Sequence, residues 1–265
     1  YVLRPQGYEM LLASTHDLES EMLAIEAFRT HQVAGIIFMS LSVHYPVEHL
    51  LQLKEEGVPF VVINRDLDDD RFNRVELDDH GAAYAATEHL IGLGHAAIGT
   101  VSGPLGGVLG LRRRSAIERH AGWQAAMLQH GLLVNPTWIV SGSYTYEGGY
   151  HGMQRLLASL EGTTLPSALF VASDVMAVGA LKAIYEAELR VPDDIAIITV
   201  GDPPFAAYTI PALTTMSIPI VEAGRVAARM LLERIDARKP VQPERVRLNF
   251  SLEVRESCGA RPRSD

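Results

Sequence analysis

Residues 165–202, LPSALFVASDVMAVGALKAIYEAELRVPDDIAIITVGD, decide the fold. The first apolar run, 168–172, reads as a strand buried on both faces. Ser173 stands where a helix N-cap belongs, and Asp174 falls in the first turn, at the positive end of the helix dipole. The helix runs to about Glu188, with Pro192 beyond to stop it. A second apolar run, 195–200, ends at Gly201-Asp202. Strand, helix and strand of this kind form a βαβ unit, whose two strands lie parallel with a right-handed crossover.

The helix has two apolar faces. Val178, Leu181 and Tyr185 make one, large enough to cover a sheet, and Met176, Ala180, Ala183 and Ala187 make another of mostly small side chains. Lys182 and Glu186, an i,i+4 pair, are solvated together with Glu188. Small residues on an outer face let a second helix approach closely. The expectation is a homodimer in which Met176, Ala180, Ala183 and Ala187 meet a second copy, joined by Tyr208. A helix buried inside a large monomer fits the same pattern.

Outward from this unit the chain repeats its rhythm. Before it, strands are expected at 7–13, 34–40, 58–64 and 74–77, separated by helices at 17–31, 46–56 and 79–92. From 96 a strand runs into the glycine-rich loop PLGGVLGLRRR. Then come a helix at 115–129, a strand at 138–140 and a helix at 147–160. After the unit, 211–220 reads as a crossing stretch, 221–237 as a helix and 247–254 as a last strand. Short apolar runs alternating with such helices are the signature of a doubly wound α/β fold with parallel sheets. Two halves of similar rhythm predict two lobes, 1–93 with 218–244 and 94–217 with 245–258. Ligands bind outside the carboxyl ends of such strands, so two facing lobes would enclose one cleft.

A chain of 265 residues, 48% hydrophobic and 21% charged, can bury a large core. No apolar run reaches the length of a membrane span, and no signal-peptide pattern opens the chain. The single cysteine, Cys258, excludes an intramolecular disulfide framework and fits a reducing, cytoplasmic compartment. A net charge of −9 argues against these residues gripping nucleic acid themselves. The first residue is Tyr1, so the natural chain is expected to start earlier. No catalytic constellation is visible: there is no G-x-S-x-G elbow, and VSGPLGG lacks the Lys-Ser/Thr ending of a Walker loop. The ten histidines show no metal-ligand spacing, so neither a metal nor a cofactor is expected.

HLIGLGH (89–95), VSGPLG (101–106), ERHAGWQAAM (118–127), YTYEGGY (144–150), SDVMAVGALKAI (173–184), RVPDDIAI (190–197), PALTT (211–215) and LEVRES (252–257) together resemble the lac repressor family's effector-binding core. The match spans nearly the whole chain, in order. The resemblance implies a two-lobe periplasmic-binding-protein-like fold, a homodimer, and a small effector bound in the cleft, commonly a sugar or nucleobase. It also implies operator DNA as a partner, read by a helix-turn-helix domain absent from this chain. The family's first strand and helix are missing as well. At 199–202, TVGD stands where the family usually shows a Gly-aromatic-Asp-Asp turn. Gly201 replaces an Asp that often binds the effector in sugar-responsive relatives.

The resemblance points to Arg119 as the effector-binding arginine, its guanidinium a planar fork of donors. The alternative is a surface arginine paired with Glu118 or Glu147. Tyr144 matches a stacking aromatic, or is an exposed loop tyrosine. Ser173 stands where many relatives carry Asn, or acts only as the N-cap. Asp202 accepts from hydroxyls, or holds its own turn. Ser40 and His80 lie at a strand end and a helix start that would face the same cleft. Arg112 to Arg114 are either a phosphate contact or a solvated loop. A carbohydrate or its derivative ranks first as effector, and an acidic or phosphorylated one gains ground because Arg119 is the strongest donor. Rival readings are a solute-binding protein of a sugar transport system and an α/β enzyme.

Overall fold

The computed structural model describes residues 2–15, 17–39, 48–65, 71–106, 114–159, 164–237 and 242–260. In chain order the elements are α1 (Leu18–Thr30), β1 (Ile36–Met39), α2 (Glu48–Glu55), β2 (Phe60–Ile63), β3 (Arg74–Leu77), α3 (Asp79–Gly92) and β4 (Ile98–Ser102). There follow α4 (Arg114–Gln129), β5 (Ile139–Ser141), α5 (Tyr146–Ala158), β6 (Ala168–Val171), α6 (Asp174–Glu186) and β7 (Ala196–Val200). The chain closes with β8 (Thr214–Ser217), α7 (Ile220–Ile235), β9 (Arg245–Leu248) and β10 (Ser251–Glu253). Among the described residues no helix is long and apolar enough to cross a membrane.

These elements form two compact units, Tyr1–Glu76 with Ile220–Leu248, and Leu77–Pro219 with Asn249–Asp265. The boundary expected after residue 93 therefore moves forward. Helix α3 packs along α4 and lies against β6, β7 and β8, which makes it part of the second unit. Gly122 permits this approach, because a Cβ there would overlap the His80 carbonyl oxygen. At the other end, β9 belongs to the first unit, not the second.

The first unit holds the sheet β1-β2-β3-β9. β1 and β2 are parallel, with Ile36 opposite Phe60, and Val62 of β2 stands opposite Arg74 of β3. Phe38 meets Phe60 edge to face at 5.9 Å, over a core that includes Leu50, Leu53 and Phe72. Helix α1 starts at a reciprocal capping box, in which Asp17 accepts from the Ser20 amide at 2.8 Å. Glu21 on α1 is buried and takes hydrogen bonds at 2.7 Å from both Arg65 and His49. The strand expected at 7–13 does not form. Met10, Leu11 and Leu12 are exposed there, and among the described residues no strand pairs with them. An apolar run becomes a strand only where a neighbour supplies the other half of the ladder.

The second unit holds the sheet β10-β8-β7-β6-β4-β5, parallel throughout except for the β8–β10 pair. The βαβ unit of 165–202 is present as read: Ala168 of β6 pairs beside Ala196 of β7. Every residue of β4, β6 and β7 is buried. Continuous apolar strands of this kind need helices on both faces. The stretch 211–220, expected as a crossing, contains strand β8, and the last expected strand is split into β9 and β10 across the two units.

Helix α6 corrects the dimer expectation. Met176, Ala180 and Ala183 are buried within the chain's own core, so they cannot be the surface offered to a second copy. Their small size serves an intrachain contact with α5. A Cβ at Gly179 would overlap the Tyr146 carbonyl, and one at Gly149 would overlap the backbone of Met176. Tyr185, expected to cover the sheet, is 81% exposed, and Ala187 and Tyr208 are exposed as well.

Candidate functional site

The order of strands in the second unit has a switch point at β4. The connection through α4 leads to β5 on one side, and the connections through α5 and α6 lead to β6 and β7 on the other. Crevices at such points, outside the carboxyl ends of the strands, are where open α/β sheets bind ligands. Here that end is formed by Gly103 after β4, Tyr144 after β5, Ala172 to Asp174 after β6, and Gly201 to Asp202 after β7.

Three caps aim the side chains. Asp78 caps α3 by accepting from the Gly81 amide at 3.0 Å, which leaves Asp79 as the first helical residue, buried. Thr145 caps α5 through the Gly148 amide at 2.9 Å. Ser173 caps α6 through the Met176 amide at 3.3 Å, so the N-cap reading is the one its geometry carries.

Arg119 on α4 is 7% exposed and sits at the centre. Its Nε donates to Asp79 Oδ1 at 2.7 Å, and its Nη1 donates to the Ala172 carbonyl at the end of β6 at 2.6 Å. It is neither a surface arginine nor paired with Glu118 or Glu147. Burial alone would weaken its hold on the proton, but Asp79, Tyr144 and Asp174 more than offset that and keep the guanidinium charged. Two of the five guanidinium N–H groups are engaged in this way, and Nη2 makes no hydrogen bond among the described residues. The Asp79 carboxylate already neutralises the guanidinium, and the remaining hydrogens on Nη1 and Nη2 are the donors it can offer a ligand.

Tyr144 has a left-handed backbone, φ 58°, and its ring lies over Gly103, where any Cβ would overlap it. Its hydroxyl is 3.4 Å from Ser115 Oγ, and the side chain is half-buried against the core. It is thus a fixed wall of the crevice, with an aromatic edge anchored at both ends. Asp202 is committed elsewhere. Its Oδ1 accepts from Arg255 Nη2 at 2.7 Å and from Thr215 Oγ1 at 3.0 Å, tying the end of β7 to β8 and to the segment after β10. These partners lie on β8 and after β10, not in the turn that follows Asp202. His80 is half-buried on α3, but its neighbour Asp79 is the residue that reaches Arg119. Ser40, Arg112 and Arg113 lie outside the described residues. Arg114 stands 3.7 Å from Glu118.

Two site residues were missed in the sequence, Asp79 and Asp174, each adjacent to one that was named. Asp174 Oδ1 accepts from the Val175 amide at 2.6 Å. Its Oδ2 lies over Gly201, whose φ of +104° is the left-handed region that glycine favours. A Cβ at 201 would overlap that oxygen. Burial raises the Asp174 carboxyl above the usual aspartate range; the Val175 amide and the Arg119 charge oppose this without cancelling it, and Asp202 adds to it. The signal available in the sequence was the absence of a side chain at 201 opposite an acidic first turn.

Residues 87–258 match the model of a periplasmic binding protein-like domain. The HTH-type transcriptional repressor PurR of Haemophilus influenzae (strain PittEE) is 36% identical over 234 residues, 87% of this chain and 66% of its own length. The chain thus spans just under two thirds of that relative. The ribose operon repressor of Escherichia coli K12 is 31% identical over 254 residues, 96% of this chain and 74% of its own. Among solved structures, the complex of the transcriptional regulator CelR with cellobiose superposes with a TM-score of 0.83 at 30% identity, covering 96% of this chain and 75% of that one. These relatives are transcriptional regulators, not enzymes. The chain belongs to the lac repressor family of transcriptional regulators, and its fold is that family's periplasmic-binding-protein-like core.

Proposed function

We propose that this chain is the effector-sensing part of a cytoplasmic transcriptional repressor, and that its effector is a neutral sugar or sugar derivative seated at the carboxyl ends of β4, β6 and β7. The observation that carries the reading is the engagement of Arg119 by Asp79 and by the Ala172 carbonyl at the end of β6, which fixes a charged donor at the same sheet end as the Tyr144 ring over Gly103. A charged donor suits a hydroxyl, and an aromatic wall suits the C–H face of a sugar ring. Sugar names among the relatives, ribose and cellobiose, support the class. An effector acts by binding one conformation of the protein better than another, and it shifts the balance only by that difference in affinity.

Operator DNA is proposed as the partner of the whole repressor, contacted outside these 265 residues, since a chain of net charge −9 has no surplus of cations to displace counterions from DNA. The repressor is proposed to work as a homodimer, with the contact on outward-facing apolar residues. Tyr185, Tyr208 and Ile210 are 81%, 84% and 95% exposed, a poor use of large side chains in an unpartnered subunit.

Calorimetry and thermal shift with D-glucose, D-ribose and cellobiose test the effector reading. The informative variant is Arg119→Gln with Asp79→Asn, which removes the donor without leaving a buried carboxylate unpaired. The wild type is expected to bind at least one of the three, and the folded double variant to lose about ten- to a hundredfold. Undiminished binding by the double variant moves the effector elsewhere.

A further inference from the structure

Within the proposed site, the structure assigns to Asp174 the choice of effector chemistry: we propose that its carboxylate, laid over the bare Cα of Gly201, accepts hydrogen bonds from hydroxyl or amino groups of the ligand and turns carboxylates and phosphates away. The proposal rests on the effector reading above and goes beyond it by naming the residue that sets specificity.

The geometry has three parts. First, Asp174 Oδ1 is occupied by the Val175 amide, whereas Oδ2 has no hydrogen-bond partner among the described residues. Second, only a glycine at 201 leaves room for that oxygen. Strand β7 contributes no side chain there, and the acceptor is delivered from the first turn of α6 instead. Third, the neighbouring carboxylates are already used. Asp79 is bound by Arg119 and Asp202 by Arg255. Three carboxylates and two guanidiniums leave one negative charge in excess, and Asp174 carries it.

The chemistry follows from that excess. Arg119 Nη2 donates and Asp174 Oδ2 accepts, and the two groups are close enough for the guanidinium charge to act on the carboxylate. A hydroxyl can donate to one and accept from the other, so a pair of adjacent hydroxyls, or a hydroxyl beside an amine, satisfies both. A carboxylate or phosphate has only acceptors and meets Asp174 as a like charge in a half-buried setting, where screening by water is reduced. The raised carboxyl is consistent with this: burial disfavours the ionised form more than the backbone amides and the Arg119 charge favour it, and a ligand donor relieves the difference.

The test is calorimetric titration of the wild type, Asp174→Asn and Asp174→Ala with D-glucose, D-ribose, cellobiose, D-glucuronate and ribose 5-phosphate. The neutral sugar bound by the wild type is expected to lose about ten- to a hundredfold in both variants, and the anionic sugars to bind Asp174→Asn more tightly than the wild type. A neutral sugar held equally by wild type and Asp174→Asn overturns the proposal, as does a wild type that prefers an anionic sugar. If no sugar binds the wild type, the effector reading fails by itself, and Asp174 is judged on melting temperature. A higher Tm for Asp174→Asn at neutral pH supports a carboxylate whose charge the fold does not fully compensate; a lower Tm makes it a structural charge at a helix start and overturns the proposal.

Discussion

At residue 119 the same guanidinium answers to a structural and a functional reading at once. It braces α3 and the end of β6, and it keeps N–H groups that these two bonds do not use. The resemblance found this arginine, while its partner came only from the fold, because Asp78 and Asp79 are equivalent in sequence until the cap on Gly81 commits one of them. Asp174 shows the opposite bias, a residue whose ionised form works against stability. Its carboxyl is raised in the folded chain, so the folded state binds that proton more tightly than the unfolded state. Such a group favours folding below its unfolded value, about 3.8, and the advantage is lost as pH rises through the raised folded value. At neutral pH the ionised side chain is therefore a net cost. Asp174→Asn should melt higher than the wild type at pH 7, with the difference narrowing as pH falls toward 3.8. A difference independent of pH in thermal melts would assign it to something other than ionisation.

Among the elements, α6 carries the clearest lesson. Its small-residue face was correctly read as a place where another helix approaches closely, but that helix is α5 of the same chain. Periodicity states which residues share a face, and nothing in it states whether the partner is the same polypeptide. Two variants separate the cases. Gly179→Ala drives a Cβ into the Tyr146 carbonyl and should cost about 1–3 kcal/mol, read as a lower urea midpoint at unchanged slope. Ala183→Glu places a carboxylate in a core that holds no partner for it, so unfolding is expected, not dissociation into folded monomers. Folded monomers of Ala183→Glu in a sedimentation run would restore the interface first expected there.

For the whole molecule, charge and exposed apolar surface set the expectations. At −9 the chain should not retain operator-like DNA at moderate salt, and salt-sensitive binding in a gel-shift assay would relocate the DNA contact into these residues. Tyr185, Tyr208 and Ile210 should be covered in a dimer. Ile210→Glu combined with Tyr185→Glu, both at exposed positions, should leave the fold intact and shift sedimentation from dimer to monomer. A double variant that stays dimeric excludes this surface.

The sequence by itself determined the α/β class, the parallel βαβ unit at 165–202 and most of the helices, because apolar period and capping residues are local properties. Ser173 as a cap and Arg119 as a candidate were legible for the same reason and through the resemblance. Tertiary structure alone decided the rest. Residues 7–13 are apolar enough for a strand but found no ladder to join, and the 211–220 stretch became a strand because β7 and β10 flank it. The side of the boundary on which α3 falls depended on Gly122 admitting the backbone of α3 against α4. Likewise, the Asp174 carboxylate has its place only because a glycine 27 positions later, on another strand's end, leaves the space open. Such pairings join residues far apart in the chain, and no window of local sequence holds both partners.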